Sequence, residues 1–101
     1  MSTIRVRAQE ADGMVTVRAL ITHPMETGTR KDSAGELIPP HHIQVVNAEV
    51  GGTEVMTAYW NTTISRNPFF QFQFAGNKGD TLKLSWSDNK GESDSTDVSI
   101  S

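Results

Sequence analysis

The chain has 101 residues and a formal net charge of −3, with 36% hydrophobic and 21% charged residues, which fits one globular domain over residues 1–101. This charge gives no basic field of the kind that nucleic-acid binding needs, so we expect no nucleic-acid partner. No apolar run approaches the ~20 residues that span a bilayer, and the first five residues do not resemble a signal peptide. Taken alone, these features predict a cytoplasmic protein without membrane contact.

The absence of cysteine bounds the chemistry of the chain. It excludes thiol nucleophiles, disulfides and cysteine-bound metals together. Any thiol chemistry must therefore belong to a partner.

Period-2 alternation of apolar residues predicts β-strands along the whole chain. The predicted strands A to G begin with Ile4, Val6 and Ala8 on one face and continue over residues 14–21, 43–50, 53–60, 69–74, 81–87 and 92–100. Turn sequences rich in glycine separate several of them. This pattern predicts an all-β fold, an immunoglobulin-like antiparallel two-sheet sandwich of about seven strands, with an orthogonal barrel as the alternative.

In-phase aromatic residues predict one side of the core. Phe70, Phe72 and Phe74 share a face of strand E, and we expect all three to be core residues. In the last strand, Val98 and Ile100 are predicted to point inward.

The connection over residues 23–42 is the most informative stretch of the sequence. Connections longer than ~12–15 residues in compact domains are usually functional or disordered. This one contains prolines, glycines, three histidines and close-set opposite charges, which is not the composition of a flexible linker. Up-and-down alternation places it at one end of the sandwich with the 61–67 and 88–91 connections, so we interpret it as a recognition loop.

Apolar side chains at the ends of strands B, D and E are out of phase with the core or ambiguous. They are Leu20, Tyr59, Trp60 and Phe69. If strands B, E and D are neighbours, these side chains form an exposed patch near the loops, which is typical of a docking surface. The alternative is that the loop folds down and covers the patch with Leu37 and Ile38.

The loop also offers residues for metal or acid–base chemistry. The potential metal ligands are His23, Glu26, Asp32, His41 and His42. Without cysteine, a zinc site would need three of them to converge, and Pro40 favours an extended backbone that turns adjacent histidines apart. His23 and Glu26 could catalyse proton transfer only in a cleft, and no nucleophile elbow is present. We therefore expect no metal, no cofactor and no catalytic residues.

The motif around Pro24 has two interpretations. In the structural one, Pro24 ends strand B and Met25 fills a gap in the core. In the functional one, Met25 and the basic pair Arg30 and Lys31 line a groove that receives a peptide or an anion. We favour the functional interpretation, because the whole motif resembles that of a known protein family.

Several sequence motifs can be recognised together, namely ITHPMETG (21–28), RKD (30–32), LIP (37–39), His41, Ile43, NPF (67–69), KGD (78–80) and WSDNKGES (86–93). With these motifs the chain resembles the SoxZ family of sulfur-oxidation proteins. The resemblance covers essentially the whole chain. Two departures are an additional histidine in PPHH (39–42) and NTT (61–63), which replaces a turn containing glycine or proline.

The resemblance implies an immunoglobulin-like, non-catalytic subunit that forms a heterodimer with SoxY. The flexible C-terminal arm of SoxY ends in Gly-Gly-Cys-Gly-Gly and carries sulfur intermediates in thiosulfate oxidation, so the thiol belongs to SoxY. The resemblance also implies transient contacts with other Sox enzymes and export to the periplasm with a signal-bearing SoxY, which replaces the cytoplasmic prediction. When the chain is isolated, edge strands could support a homodimer.

On this basis we expect the loop end and the adjoining apolar side chains to bind the partner. The predicted residues are His23, Pro24, Met25, Glu26, Arg30, Lys31, Asp32, His41, Tyr59, Trp60 and Phe69. Arg30 and Lys31 could also attract anionic sulfur adducts on the arm, although exposed charges contribute under ~1 kcal/mol each. The alternatives are a generic β-sandwich interaction module and a metal-dependent enzyme that uses the histidine-rich loop.

Overall fold

A computed structural model describes residues 3–61 and 64–101. Its elements are β1 (Ile4–Ala11), β2 (Met14–Ile21), β3 (Ile43–Val50), β4 (Thr53–Tyr59), β5 (Phe69–Ala75), β6 (Thr81–Asp88) and β7 (Ser93–Ser99). All the predicted strands are confirmed, with ends that differ by one or two residues. None of the described segments forms a helix long and apolar enough to cross a membrane.

The strands form two antiparallel sheets, one with the order β1-β2-β5 and one with the order β4-β3-β6-β7. This arrangement is consistent with the predicted immunoglobulin-like sandwich, and the orthogonal barrel is not realised. The expected neighbourhood of strands B, E and D is wrong, because β4 pairs with β3 in the other sheet. Gly51 and Gly52, both with positive φ, form the two-residue turn that folds β4 back onto β3.

The core lies between the inner faces of the two sheets. Its fully buried side chains include Val15 and Val17 of β2 and Leu82 and Leu84 of β6. Along β5, Phe70, Phe72 and Phe74 stack with centroid separations of 6.2 and 6.3 Å and pack against this core. Their predicted inward phase is confirmed, but they are only half-buried because β5 lies at the edge of its sheet.

Backbone hydrogen bonds bring the three long connections together at one end of the sandwich. The N–H of Asn67 donates to the carbonyl of His23 at 2.9 Å, and the N–H of Asn89 donates to the carbonyl of His42 at 3.1 Å. The prediction of a loop-rich end is thus confirmed for the described residues. The segment NTT (61–63), which departs from the family pattern, is described only in part, because Thr62 and Thr63 lie outside the described residues.

The long connection forms an antiparallel ribbon, which we call the ribbon (residues 26–41). At its base, Glu26 and His41 exchange backbone hydrogen bonds of 2.7 and 3.0 Å, and further out the N–H of Ile38 donates to the carbonyl of Arg30 at 2.8 Å. The longest dimension of the molecule is 53 Å, out of 53 × 24 × 20 Å, whereas a strand of eight residues spans only ~27 Å. The ribbon therefore extends the molecule beyond its strands. Leu37 and Phe69 remain 59% and 64% exposed, so the alternative in which the loop covers the apolar patch is wrong.

Gly28 tests how tightly the base of the ribbon is closed. Its φ is +86°, and a Cβ added there would lie 2.8 Å from Cγ of Pro40. We expect Gly28→Ala to lower the free energy of unfolding by about 2–4 kcal/mol, since strain in the left-handed region adds to overpacking. Equilibrium unfolding in urea measures the loss.

The matched control for Gly28→Ala is Gly35→Ala. Gly35 also has a positive φ, of +80°, but nothing lies within 4 Å of an added Cβ. This control should therefore lose only about 1 kcal/mol. Equal losses in the two variants would show that Pro40 does not confine the ribbon.

Candidate functional site

Two residues of the predicted partner surface are buried. His23 is 3% exposed and Met25 is 5% exposed. Met25 adopts a positive φ of 47°, and its Sδ accepts the N–H of Ile43 at 3.4 Å. The prediction that Met25 lines a groove is wrong, because its side chain belongs to the core and anchors the loop from within.

A buried carboxylate, Asp88, joins two of the three histidines at the loop-rich end. The Nε2 atoms of His23 and His41 lie 3.0 and 2.7 Å from the same oxygen, Oδ2 of Asp88. We call these three residues the Asp88 cluster. The other carboxylate oxygen, Oδ1, accepts the N–H groups of Lys90 and Glu92 at 3.0 and 2.9 Å. One side chain thus holds the end of β2, the ribbon and the β6–β7 turn.

The hydrogen bonds of His23 define its tautomer. Its Nδ1 accepts the N–H of Met25 at 3.1 Å, so this nitrogen carries no proton. The proton of the neutral ring is then on Nε2, which donates it to Asp88. The ring of His23 also meets Trp86 edge-to-face at a centroid distance of 5.1 Å, which further fixes its orientation.

The environment of Asp88 stabilises its ionised form. Burial by itself would raise the pKa of this carboxyl group, but the hydrogen bonds from His23, from the backbone of Glu92, from His41 and from the backbone of Lys90 outweigh it and lower the pKa below its usual value. Hydrogen bonds to a carboxylate act in this direction because they favour the charged form. Asp88 is therefore a carboxylate at neutral pH.

The Asp88 cluster also brings potential metal ligands together. The ligand atoms of His23, His41 and Asp88 lie within 4.8 Å of one another. Around a tetrahedral zinc ion, however, ligand atoms stand ~3.3 Å apart, whereas these contacts are 2.7 and 3.0 Å. Since Nε2 of His23 also carries a proton, the geometry favours a cluster linked by hydrogen bonds over a metal centre.

Of the potential metal ligands in the loop, Glu26 and Asp32 lie outside the Asp88 cluster in the described structure. Glu26 binds Arg30 through both of its carboxylate oxygens, and Asp32 accepts the N–H groups of Ala34 and Glu36 at the tip of the ribbon. The hydrogen bond from Arg30 is the main cause that lowers the pKa of Glu26. Glu26 therefore offsets the charge of Arg30. The other member of the basic pair, Lys31, has no ion-pair partner among the described residues.

The predicted apolar patch is divided between two faces of the sandwich. Tyr59, which is 81% exposed, lies opposite Val45 on the outer face of the four-stranded sheet. Phe69 lies beside Leu20 on the outer face of the three-stranded sheet. Trp60 meets Phe70 edge-to-face at 5.1 Å, so it belongs to the interior side. The prediction of a single patch is wrong because it assumed that β4 and β5 were neighbours.

Sequence reasoning missed Asp88 as a site residue. Two signals were available: its place in the Asp-Asn-Lys-Gly turn, which alternation assigns to the same end as the histidine-rich loop, and its place in the motif WSDNKGES (86–93). Asn67 was missed as well. Its Oδ1 accepts the N–H of His23 at 3.1 Å, so a side chain from the β4–β5 connection also supports the site.

Comparison with known proteins shows which family the chain is similar to. A family model described as "Sulphur oxidation protein SoxZ" matches residues 4–99. The matched range contains all residues of the Asp88 cluster, the ribbon and both sheets. Among curated proteins, no match to the chain is found.

Asp88→Asn tests the structural role of the cluster. An amide keeps only one oxygen for four N–H donors and turns its own N–H groups toward some of them. We expect the free energy of unfolding to fall by about 2–4 kcal/mol, as measured by equilibrium unfolding in urea. Asp97→Asn, at an exposed position of β7, should change it by less than about 0.5 kcal/mol. Similar losses in both variants would contradict the role of Asp88.

The lowered pKa of Asp88 predicts how stability depends on pH. Its contribution is fully present above the unfolded pKa of about 3.9 and is lost as the pH falls through that value toward the folded pKa. The difference in unfolding free energy between the wild type and Asp88→Asn should therefore narrow between about pH 5 and pH 2. Urea midpoints at several pH values measure it, and a difference that stayed constant or widened would refute the assignment.

Proposed function

The chain belongs to the SoxZ family of sulphur oxidation proteins, and from this membership we propose that it is the non-catalytic subunit of a SoxYZ sulfur carrier. In this role it binds SoxY and helps to present the cysteine-bound sulfur intermediates of SoxY to Sox enzymes during thiosulfate oxidation. The observation that carries the proposal is the family match over residues 4–99.

The chemistry of the chain supports a carrier subunit rather than an enzyme. The chain has no cysteine, so the thiol that carries sulfur must come from a partner. The strongest cluster of titratable groups among the described residues is the Asp88 cluster. His23 and Asp88 in it are 3% and 4% exposed, and each is hydrogen-bonded within the protein. These groups hold the fold together, and they are not presented to a substrate.

The ribbon is the part of the loop-rich end that is best placed for docking. Its two arms are hydrogen-bonded to each other, while Lys31 and Leu37 are exposed. A segment that is already ordered loses little conformational freedom when it binds a partner. The predicted partner contacts with exposed side chains are Pro24, Arg30, Lys31, Asp32, Tyr59 and Phe69, and these stay predictions. His23 and Met25 would act by positioning the ribbon.

The proposal includes a place for the protein in the cell. A subunit that works with SoxY would act in the periplasm and would be exported together with its signal-bearing partner. Transient contacts with Sox enzymes would take place there.

A reconstituted thiosulfate-oxidising system tests the proposed function. Purified chain alone should convert no thiosulfate, because it has no thiol that could carry sulfur. Omitting it from a mixture of SoxY and the Sox enzymes should lower the turnover, and adding it back should restore the turnover and give a stable complex with SoxY. Thiosulfate consumption and size-exclusion chromatography measure these outcomes. Turnover by the chain alone would refute the non-catalytic role.

The same system tests the part assigned to Lys31. Lys31→Glu should reduce turnover while leaving the free energy of unfolding unchanged, since the side chain is exposed and unpaired. Lys78→Glu makes the same charge change at the opposite end of the sandwich and serves as the matched control. Equal turnover in the two variants would remove Lys31 from the mechanism.

A further inference from the structure

The outer face of the sheet β1-β2-β5 carries side chains in regular rows. Strand pairing aligns Arg5 with Leu20 and Phe69 in one row, and Arg7 with Arg18 and Gln71 in the next. These side chains are exposed or half-buried. We call this surface the arginine face (Arg5, Arg7, Arg18, Leu20, Phe69 and Gln71).

The arginine face is positively charged although the chain as a whole carries −3. Besides its three arginines, the outward positions of these strands hold only uncharged residues, namely Gln9, Ala11, Met14, Thr16, Leu20, Phe69, Gln71, Gln73 and Ala75. No carboxylate of the described structure forms an ion pair with Arg5, Arg7 or Arg18. The face therefore attracts anionic groups.

Arg7 and Arg18 lie directly opposite each other on adjacent strands. Like charges in this position destabilise a sheet. Nε of Arg18 donates to Oε1 of Gln71 at 3.2 Å, which orients the guanidinium group but does not neutralise it. Carboxylates of an acidic partner would attract both guanidinium groups and offset the repulsion between them.

An apolar contact area lies next to the charges. Phe69 is 64% exposed beside Leu20, and these two residues together with the three arginines line a shallow groove of about 330 Å³. Aromatic and arginine side chains are the types most enriched at the energetic centres of protein interfaces. The composition of the groove fits a protein partner better than a lone small anion.

The strand beside this groove has an unprotected edge. From residue 67 to residue 77 the chain contains no charged residue, and β5 is a terminal strand of its sheet. Charged side chains on edge strands normally prevent association with other chains. The other terminal strands carry them, namely Arg5 in β1, Glu54 in β4, and Asp94 and Asp97 in β7. A partner seated on Phe69 and Gln71 would also shield this edge.

We propose that the arginine face is the surface covered by SoxY, and that SoxY meets it with carboxylates arranged around an apolar side chain. The identity of the partner rests on the proposed function, whereas the location and the sign of the charge come from the structure. One acidic and partly apolar surface relieves the like-charge pair, covers Phe69 and shields β5.

Arg18→Glu tests this proposal because its two effects have opposite signs. In the isolated chain the new carboxylate lies opposite Arg7, so the thermal midpoint should stay the same or rise. In the complex it repels the carboxylates of SoxY, so the affinity should fall at least about tenfold and should depend less steeply on salt. Calorimetric titration of SoxY into the chain at low and high sodium chloride measures both. Misfolding would lower the thermal midpoint as well as the affinity.

Lys78→Glu is the control, with the same change of net charge on an exposed turn. Its affinity for SoxY should stay within about twofold of the wild type. If the wild type binds SoxY and Arg18→Glu binds equally well, the assignment of the surface is overturned while the proposed function stands. If the wild type does not bind SoxY, both are overturned. A wild-type homodimer that Arg18→Glu dissociates, with unchanged affinity for SoxY, would assign the face to a second copy instead.

Discussion

The architecture of the loop-rich end depends on one buried carboxylate. Asp88 is 4% exposed, and a charge at that depth is tolerable only when it is paired or hydrogen-bonded. Four N–H donors meet it, two from histidine rings and two from the backbone of the following turn. Since the donors belong to both ends of the β2–β3 connection and to the β6–β7 turn, satisfying this one charge fixes where β2 ends, where the ribbon begins and how β6 turns into β7.

The position of the ribbon follows from this constraint. Nδ1 of His23 holds the backbone of Met25, and the left-handed conformation of Met25 directs its side chain into the core. On the returning arm, His41 is tied to the same carboxylate as His23. Both arms are therefore anchored at the base of the ribbon, whereas residues 29–37 of the ribbon are exposed. An ordered base with an exposed tip is suited to docking, because most of the conformational entropy of the ribbon has already been lost on folding.

Alternation along the sequence predicts the strands and their inward faces because both are local properties of the chain. It does not show which strands pair, so the placement of β4 beside β5 failed and the apolar patch was divided between two faces. The Asp88 cluster could not be predicted for the same reason, since 65 positions separate His23 from Asp88. Met25 was misjudged because its burial depends on a positive φ, which a residue other than glycine rarely adopts.

Strand β2 connects the ribbon to the arginine face. Its inward residues Val15, Val17, Ala19 and Ile21 are part of the core, while Arg18 and Leu20 point outward. Three residues after Leu20, the same chain reaches His23 and the Asp88 cluster. Because the intervening backbone is paired, with the N–H of Ile21 bonded to Pro68 and that of Thr22 to Thr3, no flexible segment separates the two surfaces. A partner held on the arginine face would thus have a fixed position relative to the ribbon.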